Sequence, residues 1–320
     1  MSDPAQRRLL LVFAHPDDES VFAAGLACRT VADGGAVALC TATPGEHGKL
    51  GDPPVCTRER LGAVRQAELM AACADLGIGP VRLLGYPDRG LACAPADTIR
   101  RQLVEILRAT RPQVVVTFDP NGSNLHPDHV AISRFTSDAV AAAGDPRWFP
   151  ELGAAHETPR VLWTLPVRPW ELLRRGDPAS EPGADFVVDV AAFVERKAAA
   201  LRAHRTQHQS LNRIFFSKPD VTRLLGVEMF RQAFGPPPAS RPAADVFADL
   251  AVNPIDKESV TKPAPQAATA AAPAQQPDAA PAPTGMTNGV PSLEMEDPLK
   301  ERANLKKSAA EKEKEAAAKK

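Results

Sequence analysis

The chain has 320 residues, of which 44% are hydrophobic, so it can build one large domain or two small ones around a sizeable core. Its formal net charge of -1 gives no global electrostatic argument for binding nucleic acid or an anionic membrane. No apolar run reaches membrane-spanning length, and the first apolar run is too short for a signal peptide. Five scattered cysteines without C-x-x-C spacing indicate reduced, mostly buried thiols in a cytoplasmic protein.

Strand and helix patterns alternate along residues 1 to about 250. The first is a continuous apolar run at residues 9–13, which is typical of a strand buried in a parallel sheet. Strand patterns fall at residues 8–13, 36–42, 81–84, 113–118, 160–165 and 186–189. Helical patterns fall at residues 20–33, 57–76, 97–109, 129–143 and about 191–208. This alternation predicts an α/β fold, a Rossmann-like and mostly parallel sheet with helices on both faces.

Three further segments complete the predicted organisation. The helix at residues 97–109 has a single apolar stripe and Asp97 as its expected N-cap. Residues 144–185, rich in Pro, Gly, Arg and Trp, favour a long irregular segment. The composition changes near residue 252 to Ala/Pro-rich and then Lys/Glu/Ala-rich sequence, which cannot bury enough apolar surface to fold. We therefore expect a folded domain at residues 1–250 and a disordered C-terminal tail at residues 251–320.

Two of the predicted strands are followed by histidine and aspartate. The first strand leads into A-H-P-D-D-E at residues 14–19, and the fourth leads, through a polar loop, into H-P-D-H at residues 126–129. Ligands of open α/β sheets bind beyond the carboxyl ends of the strands. Pro127 suits the first turn of a helix, which puts His126 on the loop before that helix and His129 in its first turn.

His15, Asp18 and His129 together offer two imidazoles and one carboxylate. Three such ligands plus a water form the usual catalytic zinc arrangement, and the same set suits Fe2+, so ligand type alone leaves the metal open. A bound metal lowers the pKa of its water to about 7, and the adjacent Asp17 is then the candidate general base. The structural alternative is that Asp17 or Asp18 caps the helix at residues 20–33.

The two motifs resemble the paired signatures of the LmbE-like, or PIG-L, deacetylase family. The resemblance covers about residues 8–235, with supporting segments at residues 43–48, 65–68, 85–88 and 197–207. It implies a metal-dependent N-deacetylase, an amide hydrolase acting on N-acetylglucosamine linked to another group. Residues 1–250 would then be an LmbE-like deacetylase domain.

The resemblance implies that His15, Asp18 and His129 hold Zn2+, with Fe2+ possible, and that Asp17 is the base, and it adds further roles. His126 would protonate the leaving amine or stabilise the oxyanion, and Asp128 would tune a histidine. Some relatives have a tyrosine two residues before the first histidine of the second motif. This chain has Asn124 there, whose amide could donate to the oxyanion instead.

Other charged residues near the predicted strand ends are candidate substrate ligands. Glu46 and Asp88 could hydrogen-bond sugar hydroxyls or simply close turns. Arg65 shares the apolar arc of the helix at residues 57–76 with Glu68, and buried charges are costly unless they are paired or used. Either the two form a structural pair, or Arg65 reaches the pocket and binds a polar or anionic part of the substrate, which the family pattern favours.

The remaining histidines and the last carboxylate of the first motif carry weaker expectations. His47 could line the mouth of the site, and His156 is expected to be exposed to solvent. His204 is either an ordinary histidine or an outer group near the site. Glu19 is interpreted as a structural neighbour of the motif.

The leading hypothesis is a cytoplasmic, zinc-dependent hydrolase that removes an acetyl group from an N-acetylglucosamine-type conjugate through a metal-activated water. One alternative is an amidase for a larger thiol-sugar conjugate or a glycopeptide acyl amide. Another is a non-catalytic carbohydrate-binding module. The expected partner is a small-molecule sugar conjugate, with no nucleic acid and no membrane span, and a homo-oligomer is possible.

Overall fold

The computed structural model describes residues 7–165 and 183–250, all of which fall within one compact unit, Met1–Lys262. The predicted disordered tail lies outside the described residues, as does the stretch 166–182 of the predicted irregular segment. The α/β class is confirmed, since a seven-stranded sheet is combined with helices. The domain boundary near residue 250 stays a prediction.

The strands form one mixed sheet. They are β1 Arg8–Phe13, β2 Ala36–Thr41, β3 Val81–Leu83, β4 Val114–Thr117, β5 Arg160–Leu165, β6 Phe186–Asp189 and β7 Val227–Phe234. Their order is β3-β2-β1-β4-β5-β7-β6. The pairs from β3 across to β5 are parallel, whereas β7 runs antiparallel to both β5 and β6. Because β1 and β4 are parallel neighbours, their carboxyl ends meet at one edge of the sheet.

Helices cover the central strands. They are α1 Asp18–Phe22, α2 Ala24–Ala32, α3 Leu61–Leu76, α4 Ala96–Thr110, α5 Gly122–Leu125, α6 Pro127–Gly144, α7 Val194–Ala203, α8 His208–Leu211 and α9 Val221–Leu225. Helix α4 packs with α6, and α7 packs with α2 and α3. Residues 9–13 of β1 are all buried, as expected for a strand covered on both faces. Among the described residues, no helix has the length and apolar character needed to cross a membrane.

Strand β7 is absent from the sequence-based prediction. Glu228 and Arg231 interrupt its apolar residues, so the segment shows neither a continuous apolar run nor clean alternation. Tertiary contacts compensate the buried Glu228, whose carboxylate accepts hydrogen bonds from Lys197 Nζ at 2.6 Å and from the backbone N–H groups of Gly25 and Leu26 at 2.8 Å. A charge partner and a helix N-terminus therefore make this carboxylate tolerable inside the fold.

The helix predicted at residues 20–33 is two helices. Helix α1 begins earlier, at Asp18, and α1 and α2 meet at Ala23. Asp17 occupies the N-cap position of α1, but its side chain makes no capping hydrogen bond. The interpretation of Asp17 as a helix cap is therefore wrong.

Two other single-residue expectations are wrong. The sequence predicts Asp97 as the N-cap of α4, but Pro95 has that position. Asp97 lies in the first turn, where its negative charge interacts favourably with the helix dipole. His156 is buried rather than exposed, and its Nε2 lies 2.8 Å from the carbonyl oxygen of Pro112. The loop before β5 packs against the chain entering β4, a long-range contact that local polarity does not reveal.

Arg108 of α4 forms hydrogen bonds with the end of α6 and with the loop that follows it. Its buried guanidinium donates hydrogen bonds of 2.7 to 3.0 Å to the carbonyl oxygens of Asp145, Trp148 and Phe149. We expect Arg108→Met to lower the free energy of unfolding by about 3 kcal/mol, because hydrogen bonds to a charged group are worth roughly 1.5–3 kcal/mol each. Chemical denaturation of the full chain measures the change.

Arg101 on the same helix is the matched control. Its side chain is 45% exposed, and its ion-pair partner Glu151 is 54% exposed. We expect Arg101→Met to change the free energy of unfolding by less than about 1 kcal/mol, as is usual for surface pairs. Equal losses from the two substitutions would contradict the structural role of Arg108.

Candidate active site

The carboxyl ends of β1 and β4 bring the two histidine motifs together. After Phe13 the first motif turns into α1, and after Thr117 and α5 the second motif opens α6. His126 is the N-cap of α6 and His129 lies in its first turn, so these predicted positions are confirmed. The rings of His15 and His129 lie with their centroids 5.1 Å apart. Residues more than a hundred positions apart thus line one site.

Three donor groups converge at this site. His15 Nδ1 lies 3.1 Å from His129 Nε2, and the Asp18 carboxylate lies 3.6 Å from the first nitrogen and 3.5 Å from the second. All three residues are buried, and Phe118 stacks on the His129 ring with centroids 4.0 Å apart. Such separations suit ligands that surround one ion at about 2.0–2.2 Å.

The outer nitrogens of both rings have other partners. His15 Nε2 lies 3.2 Å from carboxylate oxygens of Asp128 and Asp88, and His129 Nδ1 lies 3.1 Å from the carbonyl oxygen of Gly122. Because these oxygens accept hydrogen bonds, the network assigns the proton of each neutral ring to its outer nitrogen. The inner nitrogens then present facing lone pairs, an arrangement that fits a cation between them.

The carboxylates around the histidines make the site attractive to positive charge. Burial lowers the pKa of His15, but the carboxylates of Asp128, Asp18 and Asp88 outweigh it and raise that pKa well above its usual range. Burial raises the pKa of Asp18, but the imidazoles of His129 and His15 outweigh it and lower that pKa to about 2. A field that holds a proton on His15 also favours a divalent cation.

A second group of donors shares His15. It comprises His15, Asp88, His126 and Asp128, with one donor atom from each lying within 4.8 Å of the others. In this group Asp88 and Asp128 already engage the outer nitrogen of His15, and His126 Nδ1 accepts the Asp128 N–H at 3.2 Å. His126 also forms a donor group with His15 and His129. The free lone pairs favour the inner group of His15, Asp18 and His129, whose role as the metal-binding set stays a prediction.

Asp17 lies beside this set, and Arg65 holds its carboxylate. Arg65 Nη2 lies 3.1 Å from Asp17 Oδ2, and the same guanidinium donates to the carbonyl oxygens of Gly45 and Pro16. Burial raises the pKa of Asp17 to about 6, although Arg65 opposes the rise. The carboxylate is therefore a stronger base than an exposed aspartate.

Unusual backbone conformations surround the donors. Asp17, Ser123 and Leu125 have φ values of 115°, 59° and 66°, which non-glycine residues rarely adopt and which concentrate at functional sites. Gly122 has a φ of 65°, and a Cβ there would lie 2.7 Å from the Cβ of His129. A glycine is thus required for the loop to approach His129 this closely.

His126 is suited to donating a hydrogen bond. Because its Nδ1 accepts the Asp128 N–H, the neutral ring carries its proton on Nε2. Burial and the nearby His15 lower the pKa of His126, which favours the neutral form. The exposed Asn124 accepts the backbone N–H of His126 at 3.0 Å and so shapes the loop. The oxyanion role of Asn124 stays a prediction.

Arg65 and Glu68, both buried on α3, have separate partners. Arg65 pairs with Asp17, whereas the Glu68 carboxylate accepts hydrogen bonds from the N–H and the hydroxyl of Thr206 at 2.9 and 2.6 Å. The alternative of a structural Arg65–Glu68 pair is therefore wrong. Arg65 reaches the site, and its binding to substrate stays a prediction.

Glu46 and Asp88 connect two loops at the rim of the site. Glu46 Oε1 accepts the Asp88 N–H, and Asp88 Oδ2 accepts the His47 N–H, both at 2.9 Å. The His47 side chain is half exposed beside them. These contacts are of the turn-closing kind, and binding of sugar hydroxyls by the two carboxylates stays a prediction.

Glu19 and His204 form a buried pair whose connection sequence reasoning missed. His204 Nε2 lies 2.8 Å from Glu19 Oε1, and Glu19 Oε2 accepts the Asp17 N–H at 3.1 Å. The position of Glu19 inside the first motif was a usable signal. Its partner, 185 positions later, could not be identified from local pattern.

The fold and the site together define an α/β enzyme whose functional residues lie beyond the carboxyl ends of neighbouring parallel strands. A family profile described as PIG-L: GlcNAc-PI de-N-acetylase matches residues 10–140, which include both motifs. A relative from Streptomyces griseus is 35% identical over 91% of its own length. The chain belongs to the PIG-L family.

Named relatives extend this result. The 1D-myo-inositol 2-acetamido-2-deoxy-alpha-D-glucopyranoside deacetylase of Streptomyces griseus is 35% identical over 295 residues, which cover 78% of this chain and 91% of the relative. The conserved protein TT1542 from Thermus thermophilus has a TM-score of 0.55 and 28% identity, covering 74% of this chain and 98% of its own. The N,N'-diacetylchitobiose deacetylase from Pyrococcus horikoshii shares the fold, with a TM-score of 0.55, 21% identity and coverage of 71% and 83%. The prediction of an enzyme of the deacetylase class is confirmed.

Proposed function

We propose that this protein is a zinc-dependent deacetylase that hydrolyses the acetamide of N-acetylglucosamine linked to a polyol such as inositol. The observation that carries the proposal is the pair of facing nitrogens, His15 Nδ1 and His129 Nε2, 3.1 Å apart beside the carboxylate of Asp18. The Streptomyces griseus relative, named for a GlcNAc-inositol substrate, supports the choice of sugar conjugate.

His15, Asp18 and His129 are the residues that would hold the ion, and Fe2+ fits the same donors. Zinc bound there would lower the pKa of a water molecule and polarise the amide carbonyl. The remaining steps fall to side chains of this chain.

Asp17 accepts the proton of the attacking water and returns it to the leaving nitrogen. With its pKa raised to about 6, the carboxylate is ionised at neutral pH and still basic enough to accept a proton. Arg65, 3.1 Å away, keeps the carboxylate in one orientation. The proton taken from water thus leaves with the amine, and acetate carries the new C–O bond.

His126 stabilises the oxyanion rather than protonating the amine. Its Nδ1 is engaged by the Asp128 N–H, which makes Nε2–H the donor available to substrate. Preorganised donors of this kind contribute about 10²–10³ in kcat. Asp128 contributes indirectly, because it holds the outer nitrogen of His15.

The sugar is proposed to lie against the rim formed by Glu46 and Asp88. Ionised carboxylates accept hydrogen bonds from hydroxyl groups, and burial of a polar substrate requires such partners. Asn124 is exposed on the loop before His126 and completes the proposed binding surface.

Acetate release by the full chain tests the proposal. Chelated protein is reloaded with Zn2+ or Fe2+ and offered GlcNAc-inositol, N,N'-diacetylchitobiose and an acylated glycopeptide. We expect no turnover without metal and the highest kcat/KM for GlcNAc-inositol. Turnover of the acylated glycopeptide alone would support the larger-amide alternative, and tight sugar binding without turnover in the zinc-loaded protein would support the non-catalytic one.

The cysteines support a proposed cytoplasmic location. Their scattered spacing suits reduced thiols, and three of the five are buried, as predicted. Unpaired thiols are typical of proteins kept in a reducing compartment.

A further inference from the structure

We propose that Glu19 and His204 are positioning residues for Asp17. The Glu19 carboxylate holds the Asp17 backbone in its positive-φ conformation, and His204 holds the Glu19 carboxylate. The inference rests on the proposed function, in which Asp17 is the base.

The Asp17 backbone requires a restraint from outside the residue. Its φ of 115° and ψ of -25° are rare for a residue with a Cβ and persist only where the surroundings impose them. Asp17 also directly precedes Asp18, the first residue of α1. A relaxed φ would therefore turn the Asp17 carboxylate away from the metal-binding set.

Glu19 supplies this restraint from within the same motif. Its Oε2 accepts the Asp17 N–H at 3.1 Å, a contact that spans only two residues. The Asp17 carboxylate is held separately, by Arg65 on α3. The backbone and the side chain of the base are thus fixed by two different residues.

His204 fixes Glu19 from the end of α7. Both side chains are fully buried, and His204 Nε2 lies 2.8 Å from Glu19 Oε1. The same oxygen accepts the hydroxyl of Ser20 at 2.6 Å. A buried carboxylate is tolerated only with such partners, and three donors leave Glu19 little freedom to move. His204 therefore acts on Asp17 through Glu19.

Substitutions of Glu19 test this role directly. Glu19→Ala removes the acceptor, whereas Glu19→Gln keeps an amide oxygen for the Asp17 N–H. With zinc-loaded full chain and GlcNAc-inositol, we expect Glu19→Ala to lower kcat about 100-fold at unchanged KM and bound zinc, because small misplacements of a catalytic group cost that much. Glu19→Gln should restore kcat to within about tenfold of the unmodified chain.

Lys197→Met is the control for loss of a buried ion pair. Lys197 and Glu228 lie 2.6 Å apart and are almost as buried as Glu19 and His204, yet they do not touch Asp17. We expect Lys197→Met to lower the melting temperature without lowering kcat. The proposal would be overturned if Glu19→Ala left kcat unchanged, or if it raised KM or lowered bound zinc instead of lowering kcat.

A second pair of variants covers the case in which Glu19→Ala fails to fold. The amide of His204→Gln can occupy the position of Nε2 and keep the bond to Glu19, whereas the shorter amide of His204→Asn cannot. We expect His204→Asn to have about tenfold lower kcat than His204→Gln at a similar melting temperature. Equal kcat values would overturn the proposal.

Amide hydrogen exchange separates this inference from the proposed function. The Asp17 N–H should exchange slowly in the unmodified chain and at least about tenfold faster in His204→Asn, with the β1 amides unchanged. Faster exchange without acetate release from any form would refute the proposed function and retain the positioning contact. Acetate release together with equal Asp17 exchange in all forms would refute the positioning contact alone.

Discussion

Asp17→Asn is expected to lower the kcat of the zinc-loaded enzyme by about 10³-fold, within the range that general acid–base catalysis contributes. The amide is close in size to the carboxylate and can still accept a hydrogen bond from Arg65. Bound zinc should be unchanged, since Asp18 is the neighbouring residue that lies 3.6 Å from His15 Nδ1. Initial rates of acetate release and metal analysis of the same samples measure both quantities.

The pH dependence of activity is a second test of the role of Asp17. Only the ionised carboxylate accepts a proton, so activity should fall as the pH falls through the pKa of Asp17. Burial raises that pKa to about 6, and a bound cation favours the ionised form, so the acid limb should lie at or below pH 6. The residual activity of Asp17→Asn should lack this limb.

Asp97→Asn is the matched control for Asp17→Asn. The Asp97 side chain lies in the first turn of α4 and is 88% exposed. We expect the kcat of Asp97→Asn to equal that of the unmodified chain. If Asp17→Asn turned over as fast as Asp97→Asn, the base would have to be another group.

Substitution of the two histidines of the second motif should separate metal binding from catalysis. His129→Ala removes a nitrogen of the inner group, and we expect the loss of both bound zinc and acetate release. His126→Ala removes a ring that lies in donor groups with His15 and His129 and with Asp88 and Asp128 but is not one of the three proposed ligands. We expect bound zinc to stay near one ion per chain while kcat falls about 10²–10³-fold. Equilibrium dialysis with metal analysis measures the stoichiometry.

Thermal unfolding provides a readout of the same pair that is independent of activity. A ligand that binds only the folded state at a thousand times its Kd stabilises it by about 4 kcal/mol. Zinc should therefore raise the Tm of the unmodified chain and of His126→Ala, but not that of His129→Ala. If zinc instead raised the Tm of His129→Ala but not that of His126→Ala, the metal would be assigned to the group of His15, Asp88, His126 and Asp128.

Much of the site could be predicted because short spacings determine local geometry. Proline at position 127 sets the start of α6, and with it the positions of His126 before the helix and His129 in its first turn. The apolar run before His15 likewise predicts a buried strand that ends at the site. These statements depend on backbone stereochemistry over a few residues, which the local sequence specifies.

Predictions about partners were less successful because long-range packing decides them. Arg65 pairs with Asp17 and not with its helical neighbour Glu68, since the loop after β1 lies against α3. His156 is buried because the chain before β5 packs on the chain entering β4. Strand β7 carries a buried Glu228 because Lys197, from α7, lies 2.6 Å from that carboxylate.

By itself, the amino-acid sequence determined the α/β class, the two motifs and the residue types available for metal binding and proton transfer. Only the tertiary structure decided which nitrogen of each histidine is free, because Asp88, Asp128 and Gly122 engage the outer nitrogens. It also decided that Glu19 and His204 hold the backbone of Asp17. The physical reason is that hydrogen-bond partners distant in the chain are brought together by the packing of the whole sheet and its helices, which no local pattern encodes.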